Sequence, residues 1–141
     1  MYMEYTLSIV KPNAVKKNVI GKIFAQFEQH GLRIVALKMV QLSLSRAQDF
    51  YCEHAQKPFY NKLCDFMSSG PICVQVLQGV NAIELNRQIM GATDPSQAEA
   101  GTIRAMYGDS LDENSVHGSD SPTSAQREIQ FFFESEEILV R

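Results

Sequence analysis

The chain is poor in the features that would place it in a special class. It has three cysteines, Cys52, Cys64 and Cys73. They are odd in number and spaced too widely for a Cys-x-x-Cys zinc or redox motif, so a reduced, cytoplasmic protein with the thiols as core filler is expected. No charge of one sign dominates: 13 Lys and Arg stand against 16 Asp and Glu, a formal net charge of −3. That argues against a surface built to coat nucleic acid or anionic membrane, and leaves room for a local basic site. There is no apolar run of membrane-spanning length, nor the charge-rich, apolar-poor profile of disorder. The segment Met1-Tyr2-Met3-Glu4-Tyr5 carries an acid where a signal peptide needs cations, so export is not expected. Repeats and low-complexity stretches are missing, as are G-x-x-x-x-G-K, G-x-G-x-x-G and H-E-x-x-H. If this chain handles nucleotides, it does so without a glycine-rich loop.

What is present is a hydrophobic content of 45% in 141 residues, enough for the core of one domain spanning 1–141. Tyr5 to Val10 reads as a strand that stops at Lys11-Pro12-Asn13, because proline cannot continue a ladder. Ile20, Ile23, Phe24 and Phe27 recur at helical spacing within Val19 to His30, and Gly31 supplies the stop. Leu32 to Leu42 alternates as a strand buried on much of both faces. Ser45, with Gln48 three residues on, predicts a capping box opening a short helix through Phe50 and Tyr51. A further helix presents Phe59, Leu63, Phe66 and Met67, and Ile72 to Leu77 follows as a third strand. Asn81 is placed to cap a helix carrying Ala82, Leu85 and Ile89, which ends at Gly91. Periodicity fades from Gly91 to Ser115, a length of chain that in a compact domain is more often functional than idle. Ser121-Pro122 then opens a helix through Ala125, Ile129 and Phe132, and the tail with Glu134, Glu136 and Glu137 reads as frayed or partner-bound. The element order predicts helices on a mostly antiparallel sheet, with a fourth strand near Val116.

The densest polar cluster is Asn114-Ser115-Val116-His117-Gly118-Ser119-Asp120-Ser121. A histidine followed by glycine and small polar residues is open to approach and can be oriented by hydroxyls or carboxylates, as a nucleophile or acid–base group requires. The bland alternative is a turn and helix cap with His117 incidental. A Ser/His/Asp hydrolase drawn from His117, Ser119 and Asp120 is disfavoured, because adjacent residues rarely converge as a triad and no G-x-S-x-G is present.

Asn114 to Asp120 resembles the N-x-x-H-G-S-D signature of nucleoside diphosphate kinases. Lys11-Pro12-Asn13-Ala14, Lys57-Pro58-Phe59, Ser69-Gly70-Pro71, Gly91-Ala92-Thr93-Asp94-Pro95 and Gly101-Thr102-Ile103-Arg104 resemble that family's segments in order and spacing. The resemblance runs from about Met3 to Phe133. It implies a ferredoxin-like βαββαβ fold, an α/β sandwich with a four-stranded antiparallel sheet covered by helices. It further implies Mg²⁺-dependent ping-pong transfer of the terminal phosphoryl group from nucleoside triphosphates, chiefly ATP, to nucleoside diphosphates, maintaining triphosphate pools.

By the same resemblance His117 is the nucleophile, carrying a pros-phosphohistidine, with Glu128 and Ser119 orienting it. Arg87, Arg104 and Thr93 would sit on the phosphates, and guanidinium forks suit phosphate oxygens better than ammonium does. Tyr51 would reach the transferred group. Lys11 and Asn114 would meet the ribose, Lys11 also touching phosphate, while Phe59 and Leu111 would sandwich the base. Stacking without base-edge hydrogen bonds tolerates purines and pyrimidines alike. Asp120 would hold Mg²⁺ through water, with the phosphates as main ligands. Family members assemble as homotetramers or homohexamers. Met106 departs from the acid or polar residue common at its position. An RNA-binding module of the same fold is disfavoured, since neither a basic face nor paired RNP aromatics are evident. A catalytically dead homologue is disfavoured because His117, Arg104 and Lys11 are present.

Overall fold

A computed structural model describes residues 3–141. Four strands, β1 (Met3–Val10), β2 (Arg33–Val40), β3 (Ile72–Val80) and β4 (Val116–Gly118), form one sheet in the order β2-β3-β1-β4, every neighbouring pair antiparallel. The helices are α1 (Pro12–Lys16), α2 (Ile20–Gln29), α3 (Leu44–Phe50), α4 (Tyr60–Met67), α5 (Ala82–Met90), α6 (Ile103–Tyr107) and α7 (Pro122–Phe132). This is the ferredoxin-like α+β sandwich expected, with the fourth strand at Val116.

The period-two alternation of β1 and β3 splits the core into two layers. Leu7, Ile9, Val74 and Val76 face Ala47, Phe50, Cys64, Met67 and Ile129 of α3, α4 and α7. Val10, Cys73 and Leu77 face Ile23, Phe27, Ala82 and Ile89 of α2 and α5. β1 and β3 are central, so both of their faces are covered; β4 is short and pairs only with Ser8, Ile9 and Val10. Its middle residue is His117.

Several sequence expectations change in physical detail. The stop at Lys11-Pro12-Asn13 is itself the start of α1, with Pro12 at the first helical position, where its missing N–H is harmless. β2 is an edge strand and not buried on both faces: Leu37 and Met39 are 57% and 59% exposed. The cap of α3 is Ser43, whose Oγ accepts from Arg46 N; Ser45 lies inside the helix. Asn81 occupies the N-cap position of α5 in a left-handed conformation (φ 51°) and its side chain caps nothing. Glu4 on β1 supplies the carboxylate instead, accepting from Ile83 N at 2.9 Å. Cys64 and Cys73 are buried, but Cys52 is exposed and not core filler. The tail is neither frayed nor free. Leu139 N donates to Val35 O at 2.8 Å, Arg141 reaches Ile34 O, and Glu137 pairs with Lys38 at 3.3 Å, so the segment lies along β2.

Candidate active site

The antiparallel pairing of β4 with β1 brings His117 opposite Ile9, two residues before Lys11. Its imidazole is held from behind. Nε2 lies 2.8 Å from Glu128 Oε1 on α7, and the same carboxylate oxygen accepts from Ser119 Oγ at 2.9 Å. Ser119 Oγ in turn accepts from Leu7 N of β1 at 3.2 Å. A carboxylate accepting at Nε2–H leaves the proton-free lone pair of the neutral ring on Nδ1. Ser119 reaches Glu128, not the imidazole, so any effect of it on His117 passes through that carboxylate. Phe50 and Tyr51 stand edge-on to the ring at centroid distances of 5.5 and 6.1 Å and limit its tilt. Arg127, next to Glu128, donates to Phe50 O at 2.8 Å and ties α7 to this aromatic wall.

In front of His117 opens a cleft of about 940 Å³. Arg87, Thr93, Arg104 and Asp120 line it with His117. The loop after α5 is shaped for this: Gly91 has φ 85° and lies against Thr102, a position no Cβ could occupy. Arg104 donates to Gly91 O at 3.0 Å and to Val116 O at 2.9 Å, so its guanidinium is locked between the loop and β4. Burial, then the charge of Arg87, pulls its pKa down to about 10. It remains a cation at neutral pH.

Lys11 and Asn114 stand together beside this cleft without lining it. Lys11 Nζ donates to Asn114 Oδ1 at 2.9 Å, and Asn114 Nδ2 donates to Leu111 O and Thr93 O. Burial, then the positive charge of Arg104, lowers the Lys11 pKa to about 7. Tyr51 is buried and its hydroxyl has no protein partner. Burial, followed by the charges of Glu128 and Cys64, holds it protonated, so its O–H can donate. Phe59 and Leu111 are 42% and 55% exposed and neither lines the cleft. Their two segments are joined at the surface by Lys62 and Asp112, 2.8 Å apart.

One cleft residue escaped the sequence reading. His54 lies in a short 3₁₀ turn (Cys52–His54) on the cleft wall, with its ring 5.7 Å from that of Phe59. Its position three residues before Lys57-Pro58-Phe59 was the available signal. A second groove, between the start of β1 and α7, is apolar, and its one charged group, Glu4, is already engaged at α5. No cluster of three metal-ligating side chains occurs among the described residues, and no helix of theirs is long and apolar enough to cross a membrane.

An oriented imidazole facing two arginines in an open cleft, on a ferredoxin-like sheet, is the arrangement of a phosphoryl-transfer enzyme. The nucleoside diphosphate kinase family model matches residues 4–138. The chain is 55% identical to the nucleoside diphosphate kinase of Halorhodospira halophila over 141 residues, all of both chains. It is 57% identical to that of Nitrosococcus oceani over 100% of this chain and 99% of the relative. Among solved structures, the Aquifex aeolicus nucleoside diphosphate kinase superposes with a TM-score of 0.96 at 45% identity, covering 98% of this chain and 100% of the other. A halophilic nucleoside diphosphate kinase from Halobacterium salinarum, in complex with CDP, gives 0.95 at 39% identity, covering 99% and 93%. The chain belongs to the nucleoside diphosphate kinase family, and its activity is phosphoryl transfer between nucleoside triphosphates and nucleoside diphosphates.

Proposed function

We propose that the transfer runs in two displacements through His117. In the first, the Nδ1 lone pair attacks the γ-phosphorus, the bond to the bridging oxygen breaks, and the nucleoside diphosphate leaves. In the second, a terminal phosphate oxygen of the acceptor attacks the phosphorus and the P–N bond breaks, returning neutral imidazole. The observation that carries this reading is the Glu128 contact at Nε2, which leaves Nδ1 as the nucleophilic nitrogen and the pros position as the one modified. Phosphoryl transfer passes through a loose transition state, so catalysis rests on position and charge.

Arg104 and Arg87 neutralise the phosphate oxygens, and the Thr93 hydroxyl adds a donor. The Tyr51 O–H, without a protein partner, is available to the transferred group. Lys11 and Asn114 take the ribose hydroxyls, Lys11 sharing a phosphate oxygen. Phe59 and Leu111 close on the base from the two segments joined by Lys62 and Asp112. Asp120, exposed at the cleft rim, fits Mg²⁺ held through water, since a single carboxylate with phosphates as main ligands suits that ion. When bound, the ion neutralises charge on the polyphosphate.

The chain acts as one domain, and copies of it assemble as a tetramer or hexamer. Exposed Leu37 and Met39 on edge strand β2 favour assembly, and native mass distinguishes the two. The decisive experiment incubates the protein with γ-labelled ATP and Mg²⁺. An acid-labile, alkali-stable phosphate on His117, removed by any nucleoside diphosphate, is expected. Equal labelling of His117→Ala rules the mechanism out.

A further inference from the structure

The sheet face beneath α5 carries a row of polar side chains that phosphoryl transfer leaves unused. In the strand register Ser8 stands between Gln75 on β3 and Gly118 on β4, and Thr6 projects from the same face two residues earlier. Asn86 of α5 lies over Gly118: a Cβ there would fall inside contact distance of Asn86 Nδ2 and 2.9 Å from Met90 Sδ. Thr6, Ser8, Gln75 and Asn86 are fully buried. Yet Thr6 Oγ1, Ser8 Oγ, both amide atoms of Gln75 and Asn86 Oδ1 have no hydrogen-bond partner in the protein. Asn86 Nδ2 does no better than a 3.6 Å contact to Met90 Sδ, a weak acceptor. The Cys73 thiol beside Gln75 is a weak hydrogen-bonding neighbour at most, and neither amide atom has a partner of good geometry.

A buried amide or hydroxyl left unpaired is destabilising, because it has given up its water and gained no partner. Protein interiors meet such a demand with internal water, which needs two to four polar partners. Neighbouring strands lie about 4.8 Å apart, so hydroxyl and amide groups on adjacent strands are within the span of one bridging water. Ser8 and Gln75 are such cross-strand partners, Thr6 lies two residues along β1, and Asn86 stands over Gly118, the partner of Ser8 on its other side.

We infer that Thr6, Ser8, Gln75 and Asn86 bind a short file of internal water between α5 and the sheet, and that through it Asn86 is a positioning residue holding Arg87 in place at the cleft that His117 also lines. Asn86 immediately precedes Arg87, and Gly118 immediately follows His117. α5 packs on β1, β3 and β4. Apolar packing alone permits small sliding of a helix on a sheet, whereas directional hydrogen bonds specify one position. Gly118, lacking a side chain, is what admits the Asn86 amide to the seam. The inference rests on the assignment of Arg87 to the phosphates.

The test is a crystal structure of the intact protein at a resolution showing ordered water, with kinetics of Asn86→Leu, Asn86→Ser and Arg87→Ala. Water bridging Gln75, Ser8 and Asn86 is expected. Asn86→Leu keeps the side-chain size and gives up only the water-mediated bonds, so it should fold as the parent does and melt at most a few degrees lower. It should nevertheless raise KM for the acceptor diphosphate roughly threefold to tenfold, with kcat little changed. Asn86→Ser, which leaves room for a further water, should restore most of the KM. A dry seam overturns the inference, as does a parental KM in Asn86→Leu, or a KM that rises only in step with falling stability in both variants. If Arg87→Ala itself leaves KM unchanged, the phosphate assignment fails; if it raises KM while Asn86→Leu does not, only the seam inference fails.

Discussion

Lys11 Nζ donates to Asn114 Oδ1 at 2.9 Å, a neutral acceptor, and no carboxylate partners this ammonium among the described residues. Buried beside Arg104, Lys11 has its pKa lowered to about 7. The free site therefore sheds a proton near neutrality, and a phosphate anion placed there draws it back.

The first prediction follows from that linkage. Below pH 7 Lys11 is already charged and nucleotide affinity is flat; above it, binding must take up a proton and KM rises with pH. Stability moves the other way. Between about 7 and the ordinary lysine value the unfolded chain binds a proton that the native chain does not, so unfolding free energy increases across that window. Lys11→Met should flatten both dependences. Isothermal titration in buffers of different ionisation enthalpy checks the uptake; no net protons bound with nucleotide at pH 8 would count against it.

Removing the carboxylate behind His117 should act on kcat. Glu128→Ala frees the imidazole to tilt, with a loss of up to about a hundredfold. Ser119→Ala removes one hydrogen bond to that carboxylate, worth about 1 kcal/mol, and should lower kcat roughly fivefold. Single-turnover labelling of His117 measures both. A fall in KM alone, with the labelling rate intact, would show that Glu128 does not orient the ring.

Phe59→Ala should raise KM for purine and pyrimidine diphosphates by similar factors, since stacking on an aromatic face is worth about 1–3 kcal/mol for any base. Steady-state kinetics with four acceptors suffice. A loss confined to one base contradicts the stacking role.

Gly118→Ala should destabilise the fold by about 1–3 kcal/mol through overpacking, because the added methyl meets Asn86 and Met90. Denaturant unfolding reads this directly, and an unchanged midpoint would mean that α5 yields to the methyl.

The layers and the segment that carries His117 were legible because their signals are local. Short apolar runs bounded by proline marked β1 and β3, helical spacing marked α2 and α5, and the Asn114–Asp120 run stood out by composition. What sequence missed is set at a distance. Glu4 replaces Asn81 as the acceptor at the start of α5, across 79 residues. β2 reads as doubly buried, yet its edge position depends on strand order, which no local pattern carries. His54 resembles any surface histidine until the fold turns it toward the cleft. Ser119 lies near His117 in sequence, but only the structure directs its hydroxyl to Glu128.

The three-residue strand that bears His117 is joined to the sheet through β1 alone, and the bond from Leu7 to Ser119 spans 112 residues. Closing so long a loop for so few ladder bonds is entropically late, whereas β1, β3 and β2 have many bonds with which to assemble first. Refolding should therefore restore sheet dichroism before it restores phosphorylation of His117, and an arrested intermediate should be a nearly complete, catalytically silent sheet.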